Sequence, residues 1–317
     1  GKDFNLRRHR ILVQKWLDHS AHQTVDIFLP VCGEPWVLLK NTWKYVAELN
    51  AIHEGTLFIH VLDDNDDPSV KALADTFRFN YIARGTNELK KAGNLRHAFA
   101  KTKAEFIVIF DADFCPRTDF LISTLPYMFE HPNCAIVQTP QFFSPNLEQN
   151  FIQKGAGAIQ ELFYRLIQVS RNSFRGAICV GTNAVYRRKS LEPFGGTAAI
   201  GYSEDVRTGF RCQAAGERVI YIPINWRSFF TQQYRWAMGS LDLMCSKEFW
   251  IASISPMQRV CYLTGMLYYT TTGLSAVFAF MPSIYLLIWS PHVVLWYNLL
   301  WALPSLLLTN LYMRYWQ

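Results

Sequence analysis

The chain has 317 residues, of which 50% are hydrophobic and 15% aromatic; that apolar share excludes a disordered chain, and the length admits one large domain with appendages. Its seven cysteines (Cys32, Cys115, Cys134, Cys179, Cys212, Cys245, Cys261) are odd in number and form no C-x-x-C pair. This excludes a disulfide framework and a cysteine zinc site, and it fits a reducing compartment. Part of the formal net charge of +6 lies in Arg7, Arg8, Arg10 and Lys15. With an apolar C-terminus, that basic opening over residues 1–24 reads as the cytosolic flank of a membrane span rather than a nucleic-acid arm. The chain begins at Gly1 without methionine or a signal-peptide pattern, so preceding residues are expected.

In chain order, Val25 to Leu29, Leu57 to Leu62 and Phe106 to Phe110 are short apolar runs bounded by turn residues and predict strands. Between them, Pro35 to Leu49, Ser69 to Phe77 and Ala92 to Lys101 predict helices. The βαβα alternation implies a mostly parallel sheet covered by helices, an α/β Rossmann-like domain whose ligands bind beyond the carboxyl ends of the strands. Asn146 to Val169 gives a long helical pattern, Gly176 to Tyr186 strand and loop, and Val219 to Ile222 a strand. Gln232 to Trp250 is amphipathic and suits a helix on a membrane surface. Val260 to Trp289 and Val293 to Tyr312 carry no charge, and each is long enough to span a bilayer. The expected organisation is a basic juxtamembrane segment (1–24), an α/β domain (25–231), interfacial helices (232–258) and two transmembrane helices (259–317).

The acidic motifs fall at strand ends. Asp111-Ala112-Asp113 follows a strand directly, and alternate carboxylates there can hold Mg²⁺ or Mn²⁺ while a diphosphate fills other positions. A lone D-x-D is also an ordinary helix cap. Asp63-Asp64 ends another strand, which suggests a nucleotide across their shared edge. Lys90-Lys91-Ala92-Gly93-Asn94 opens a helix that suits an anion, or simply a solvated basic start. Ser203-Glu204-Asp205 either caps a helix or presents a carboxylate to an attacking hydroxyl. In Gln232-Gln233-Tyr234-Arg235-Trp236, helical spacing brings Gln232, Arg235 and Trp236 together, a forked cation beside a flat ring.

Taken in order, Asp-Asp, K-A-G-N, D-x-D, the acidic pair and Q-x-x-R-W resemble the processive family 2 glycosyltransferases, which include the synthases of cellulose, other β-glucans, chitin and hyaluronan. Gln138-Thr139-Pro140 with Phe142-Phe143 resembles a segment of the cellulose synthase group. The resemblance covers roughly Asp26 to Gly239 and implies a cytosolic catalytic domain of an integral plasma-membrane protein. It implies that Asp63, Asp64 and Lys91 meet the uridine end of a UDP-sugar donor, and that Asp111 and Asp113 handle diphosphate and metal. Asp205, helped by Glu204, would be the general base. Gln232 and Arg235 would bind diphosphate, Trp236 would stack on the acceptor sugar, and Gly181 and Thr182 would line the acceptor side. The expected reaction is a single inverting displacement that extends a β-glucan from UDP-glucose and passes it across the membrane. The alternatives are a chitin- or hyaluronan-type synthase using UDP-N-acetylglucosamine, a non-processive lipid-linked transferase, or a non-enzymatic receptor. Two spans are few for a polymer channel, so a homo-oligomer or accessory subunits are expected. Val180 departs from the family's common cysteine, Ser203 from its threonine, and Gly33-Glu34 from its Asn-Glu. The family's link between Val219 to Ile222 and Q-x-x-R-W is longer than 223–231, so a segment is expected to be missing near Ile224, Asn225 or Trp226.

Overall fold

The computed structural model describes residues 5–17, 23–52, 55–141, 160, 163–223, 243–265, 267 and 288–289. Among these, seven strands form one sheet: β1 Thr24–Val31, β2 Thr56–Asp63, β3 Asn80–Ala83, β4 Phe106–Ile109, β5 Cys134–Gln138, β6 Ala184–Arg187 and β7 Arg218–Tyr221. Their order is β3-β2-β1-β4-β6-β5-β7. The sheet is mostly parallel, as expected; β6 runs against both β4 and β5. The helices that position the site are α1 Leu6–Leu17, α2 Trp36–Ile52, α3 Pro68–Phe77, α4 Lys90–Lys101 and α5 Phe120–Glu130. α3 starts where it does because the Asp67 carboxylate accepts the Ser69 N–H at 2.7 Å and Pro68 occupies the first turn.

Strand periodicity sorts the two faces. Val25, Ile27, Leu29 and Val31 of β1, Ile59 and Val61 of β2, and Phe106 and Val108 of β4 join one apolar cluster with Trp43, Leu73 and Leu125 of the helices. The alternate positions Asp26 and His60 face the other way. There the Asp26 carboxylate bonds His60 Nε2 at 2.9 Å and accepts from Arg188 Nη2 at 2.8 Å and the Ala104 N–H at 3.0 Å. A buried charge persists only with such partners.

The register sets where chemistry can occur. Val31 pairs Asp63 and Phe28 pairs Ile109, so β1, β2 and β4 end at one edge. Because β6 is reversed, its first residue Ala184 pairs Ile109 at that same edge. The residues just before β6 therefore meet the residues just after β4.

The four expected strands Val25 to Leu29, Leu57 to Leu62, Phe106 to Phe110 and Val219 to Ile222 appear within two residues of their expected ends. Most of the expected helix Asn146 to Val169 lies outside the described residues; its end is a π-helical turn Phe163–Ile167 running into a helix Gln168–Ser173. The expected single helix Gln232 to Trp250 is corrected in its described part. The extended backbone of Ser246 interrupts it, and its hydroxyl accepts the Phe249 N–H to cap a new helix Lys247–Ile251. The chain divides into a unit Gly1–Thr264 and a unit Gly265–Gln317. Among the described residues no helix is long and apolar enough to cross a membrane. The apolar run 260–289 is described only in part, and 293–312 and the suspected gap at 224–226 lie outside the described residues.

Candidate active site

At the end of β2 both acids are already engaged. Asp63, fully buried, accepts the N–H groups of Asn65 and Asp67 at 2.9 and 2.8 Å and the Tyr81 hydroxyl at 2.8 Å. It thereby shapes the turn after its own strand. Asp64 pairs with Arg84 Nε at 2.5 Å. The Gly33-Glu34 turn abuts this loop: a Cβ on Gly33, at φ +87°, would lie 3.3 Å from Asn65 Nδ2. Glu34 stabilises that turn by accepting the Cys32 N–H at 2.6 Å.

Lys91, in the first turn of α4, crosses the edge toward the neighbouring strand. Its ammonium lies 2.5 Å from Asp111 Oδ1 and 3.9 Å from Glu204 Oε1. Burial disfavours this cation, but Asp111 and then Glu204 outweigh burial and hold its pKa above the ordinary lysine value. Asp111 is half-buried and Asp113 exposed. The Asp111 N–H donates to Thr182 Oγ1 at 2.9 Å, which ties the D-x-D turn to the loop before β6.

That loop carries Gly181. At φ +83°, a Cβ there would lie 2.9 Å from Asp205 Oδ2, so a glycine is what lets the backbone approach the carboxylate. Glu204 and Asp205 occupy the first turn of the helix Glu204–Ala214, both 8% exposed, a position where the helix's positive end complements negative charge. Asp205 Oδ1 accepts the Val206 N–H at 2.8 Å. The buried Gln138 holds the loop from below. Its Nε2 donates to the Thr182 carbonyl at 2.8 Å and its Oε1 accepts the Val180 N–H at 2.9 Å. Thr139 Oγ1 adds a bond to the Asn183 carbonyl at 2.9 Å. Nearby Cys179 bonds the Tyr186 hydroxyl at 3.2 Å, and burial pushes its thiol up to about 12. A thiol of that acidity stays protonated and supplies no nucleophile.

The structure thus gathers Lys91, Asp111, Thr182, Gly181, Glu204 and Asp205, while Asp63 and Asp64 belong to the adjoining turn. Gln232, Arg235, Trp236, Phe142 and Phe143 lie outside the described residues. Sequence reading missed Arg84 and Tyr81. The only signal was a charged residue directly after Tyr81-Ile82-Ala83, a strand too short and too broken by Asn80 to be read as one. Among the described residues no group of three or more His, Cys, Asp or Glu side chains could hold a metal. Asp111 and Asp113 carry hard oxygen donors, the ligand type Mg²⁺ and Mn²⁺ take together with phosphate oxygens and water.

The family model described as glycosyl transferase family group 2 matches residues 106–316, and the chain belongs to that family. Within it, the chain is similar to cellulose synthases. It is 33% identical over 256 residues to cellulose synthase 1 of Komagataeibacter xylinus, covering 77% of this chain and 16% of that protein. It is 31% identical over 287 residues to the UDP-forming cellulose synthase catalytic subunit of Pseudomonas fluorescens (strain SBW25), covering 86% and 39%. The chain therefore spans well under half the length of these relatives. Its fold is similar to that of the mannosyltransferase PcManGT from Pyrobaculum calidifontis, solved with GDP-Man and Mn²⁺. The TM-score is 0.62 at 17% identity, over 92% of this chain and 88% of that one. It is also similar to S. aureus TarS 1-349, with a TM-score of 0.56 at 11% identity over 78% and 73%. At these identities the likeness shows the fold alone.

Proposed function

We propose that this chain is the catalytic part of an inverting, processive synthase that extends a β-glucan from UDP-glucose. The observation that carries the reading is the convergence of Lys91, Asp111, Glu204 and Asp205 at one strand edge, with the Gly181 backbone packed close against the Asp205 carboxylate. Asp205 takes the proton of the acceptor hydroxyl as that oxygen attacks the anomeric carbon. The bond from that carbon to the diphosphate breaks, UDP leaves, and an α-linked donor yields a β-linked product. One displacement needs no covalent enzyme intermediate, so the reading asks the site for a base and cations rather than an activated nucleophile. Asp111 and Asp113 would hold Mg²⁺ or Mn²⁺, which when bound neutralises charge on the leaving diphosphate. Lys91, Gln232 and Arg235 serve the donor, with Asp63 and Asp64 shaping its uridine end. Gly181, Thr182 and Trp236 serve the acceptor.

The membrane reading rests on the sequence and on one surface. Trp250, Ile251, Met257 and Val260 are exposed, flanked by Lys247 and Arg259. Apolar side chains beside cations suit the headgroup boundary of an anionic leaflet. The catalytic domain would then face the cytosol of a plasma membrane, with the product leaving through the apolar segments and any accessory subunits. The reading is tested by incubating membranes that carry the full chain with UDP-glucose and UDP-N-acetylglucosamine separately, followed by linkage analysis of the product. Polymer from UDP-glucose alone is expected. Incorporation from UDP-N-acetylglucosamine and none from UDP-glucose would assign a chitin- or hyaluronan-type synthase instead.

A further inference from the structure

We propose that Arg84 is a positioning residue for the donor subsite: its guanidinium pins the loop 85–90 from inside and so sets where Lys91 places its ammonium. The identity of the donor rests on the reading above; the clamp itself rests on geometry.

Arg84 follows β3 and is 9% exposed. Each of its three nitrogens has a partner. Nε pairs with Asp64 Oδ1 at 2.5 Å, Nη1 donates to the Glu88 carbonyl at 2.7 Å, and Nη2 donates to the Lys90 carbonyl at 2.6 Å. One planar cation thus joins the acidic turn after β2 to the start of α4. A lysine in its place would offer a point charge, without the fork that reaches a carboxylate and two carbonyls together.

The loop needs such a hold. Leu89 and Lys90 are consecutive left-handed residues at φ +57° and +49°, and neither is glycine. Such conformations cost energy and persist only where surrounding structure enforces them. Leu89 stands at the N-cap of α4 without any side-chain cap bond. Arg84 accordingly binds the carbonyls on either side of Leu89.

Gly93 gives independent support. It lies inside α4, where a glycine ordinarily weakens a helix relative to alanine. A Cβ there would stand 2.0 Å from the Glu88 carbonyl oxygen and 2.2 Å from Arg84 Nη1. The glycine of K-A-G-N is therefore required by the guanidinium and the carbonyl it binds.

The consequence reaches the site through neighbouring residues. With the Lys90 carbonyl held by Arg84, the Lys90 side chain turns to Tyr202, 2.6 Å from its hydroxyl and 4.1 Å from the ring centre. Lys91 turns the other way, to Asp111 and Glu204. Releasing the clamp frees Leu89 and Lys90 to leave the left-handed region and carries Lys91 away from Asp111. Asp205, on another helix, keeps its place.

The test uses the full chain in membranes with UDP-glucose. Arg84→Gln is expected to raise the donor KM about tenfold, the size of one lost charge-assisted hydrogen bond, while kcat changes by less than about threefold. Gly93→Ala is expected to do the same, and the double variant to be no worse than the worse single one, because both break one latch. Arg84→Lys, which can keep the pair with Asp64, is expected to fall between and serves if Arg84→Gln does not fold. Hydrogen exchange of the amides of residues 89–93 is expected to quicken in each variant, with the rest of the domain unchanged. A KM within about twofold of wild type for a folded Arg84 variant, or effects of Arg84→Gln and Gly93→Ala that multiply, would overturn the clamp. A wild-type chain that binds no UDP would sink the donor reading alone. Exchange without nucleotide then decides on the clamp, and unchanged protection at residues 89–93 overturns it.

Discussion

At the scale of single residues, one close approach in the site depends on a missing side chain. A Cβ on Gly181 would lie 2.9 Å from Asp205 Oδ2, with the backbone at φ +83° besides. Gly181→Ala meets both penalties, and a left-handed non-glycine residue alone costs about 1–3 kcal/mol. The variant is expected to lose that much stability in denaturant unfolding and to lose transfer rate more than UDP affinity. Unchanged rate and stability would show that the loop has room to yield. Lys91, Asp111, Glu204 and Asp205 were legible in the sequence because charged residues at the ends of apolar runs stand out. Arg84 and Gly93 were not, because their relation is across space: nothing local says that a glycine inside a helix leaves room for a guanidinium nine positions earlier.

At the scale of elements, one reversed strand does much of the positioning. Parallel β2 and β4 deliver Asp63, Asp64 and Asp111 to one edge, and β6, entering from that edge, brings Gly181 and Thr182 against Asp111 and Asp205. The βαβα half of the sheet was readable from hydrophobic periodicity; the direction of β6 was not, since a short apolar strand looks the same either way. Gln138 and Thr139 also show a place here, as a buried latch on the loop at 180–183. At the opposite end of β1, Asp26 pairs with Arg188 and His60. Burial raises the Asp26 pKa, but hydrogen bonds from His60 and the Ala104 N–H outweigh it and leave it below the ordinary value. A depressed carboxyl stabilises the fold fully above its unfolded pKa of about 4 and loses that contribution as pH falls through the lower folded value. Asp26→Asn should therefore be less stable than wild type near neutral pH, with the gap narrowing below about pH 4 in thermal unfolding. A gap that stays constant with pH would show that the charge of Asp26 is not what stabilises the pair.

At the scale of the whole molecule, the helix of the acidic pair is tied to the segment that follows Q-x-x-R-W. Glu248 lies 2.7 Å from Arg211 and 3.5 Å from Arg207, and Phe210 packs on Phe249 with ring centres 5.6 Å apart. The surface beyond it exposes Trp250 and Ile251, so the proposed membrane contact and the proposed base share one packed unit. The amphipathic pattern announced that surface, while the break at Ser246 did not show because serine fits a polar helix face as well as a cap. The proposed function turns on Asp205 as the group that takes the acceptor proton. The most direct measurement is sugar transfer from UDP-glucose by Asp205→Asn in membranes, beside UDP affinity for the same variant. Loss of a general base is expected to lower the rate about 10²–10⁴-fold with UDP affinity nearly unchanged, whereas Asp113→Asn should weaken metal-dependent UDP binding itself. An Asp205→Asn chain that retains half the wild-type rate, or that loses UDP binding along with transfer, would contradict Asp205 as the base.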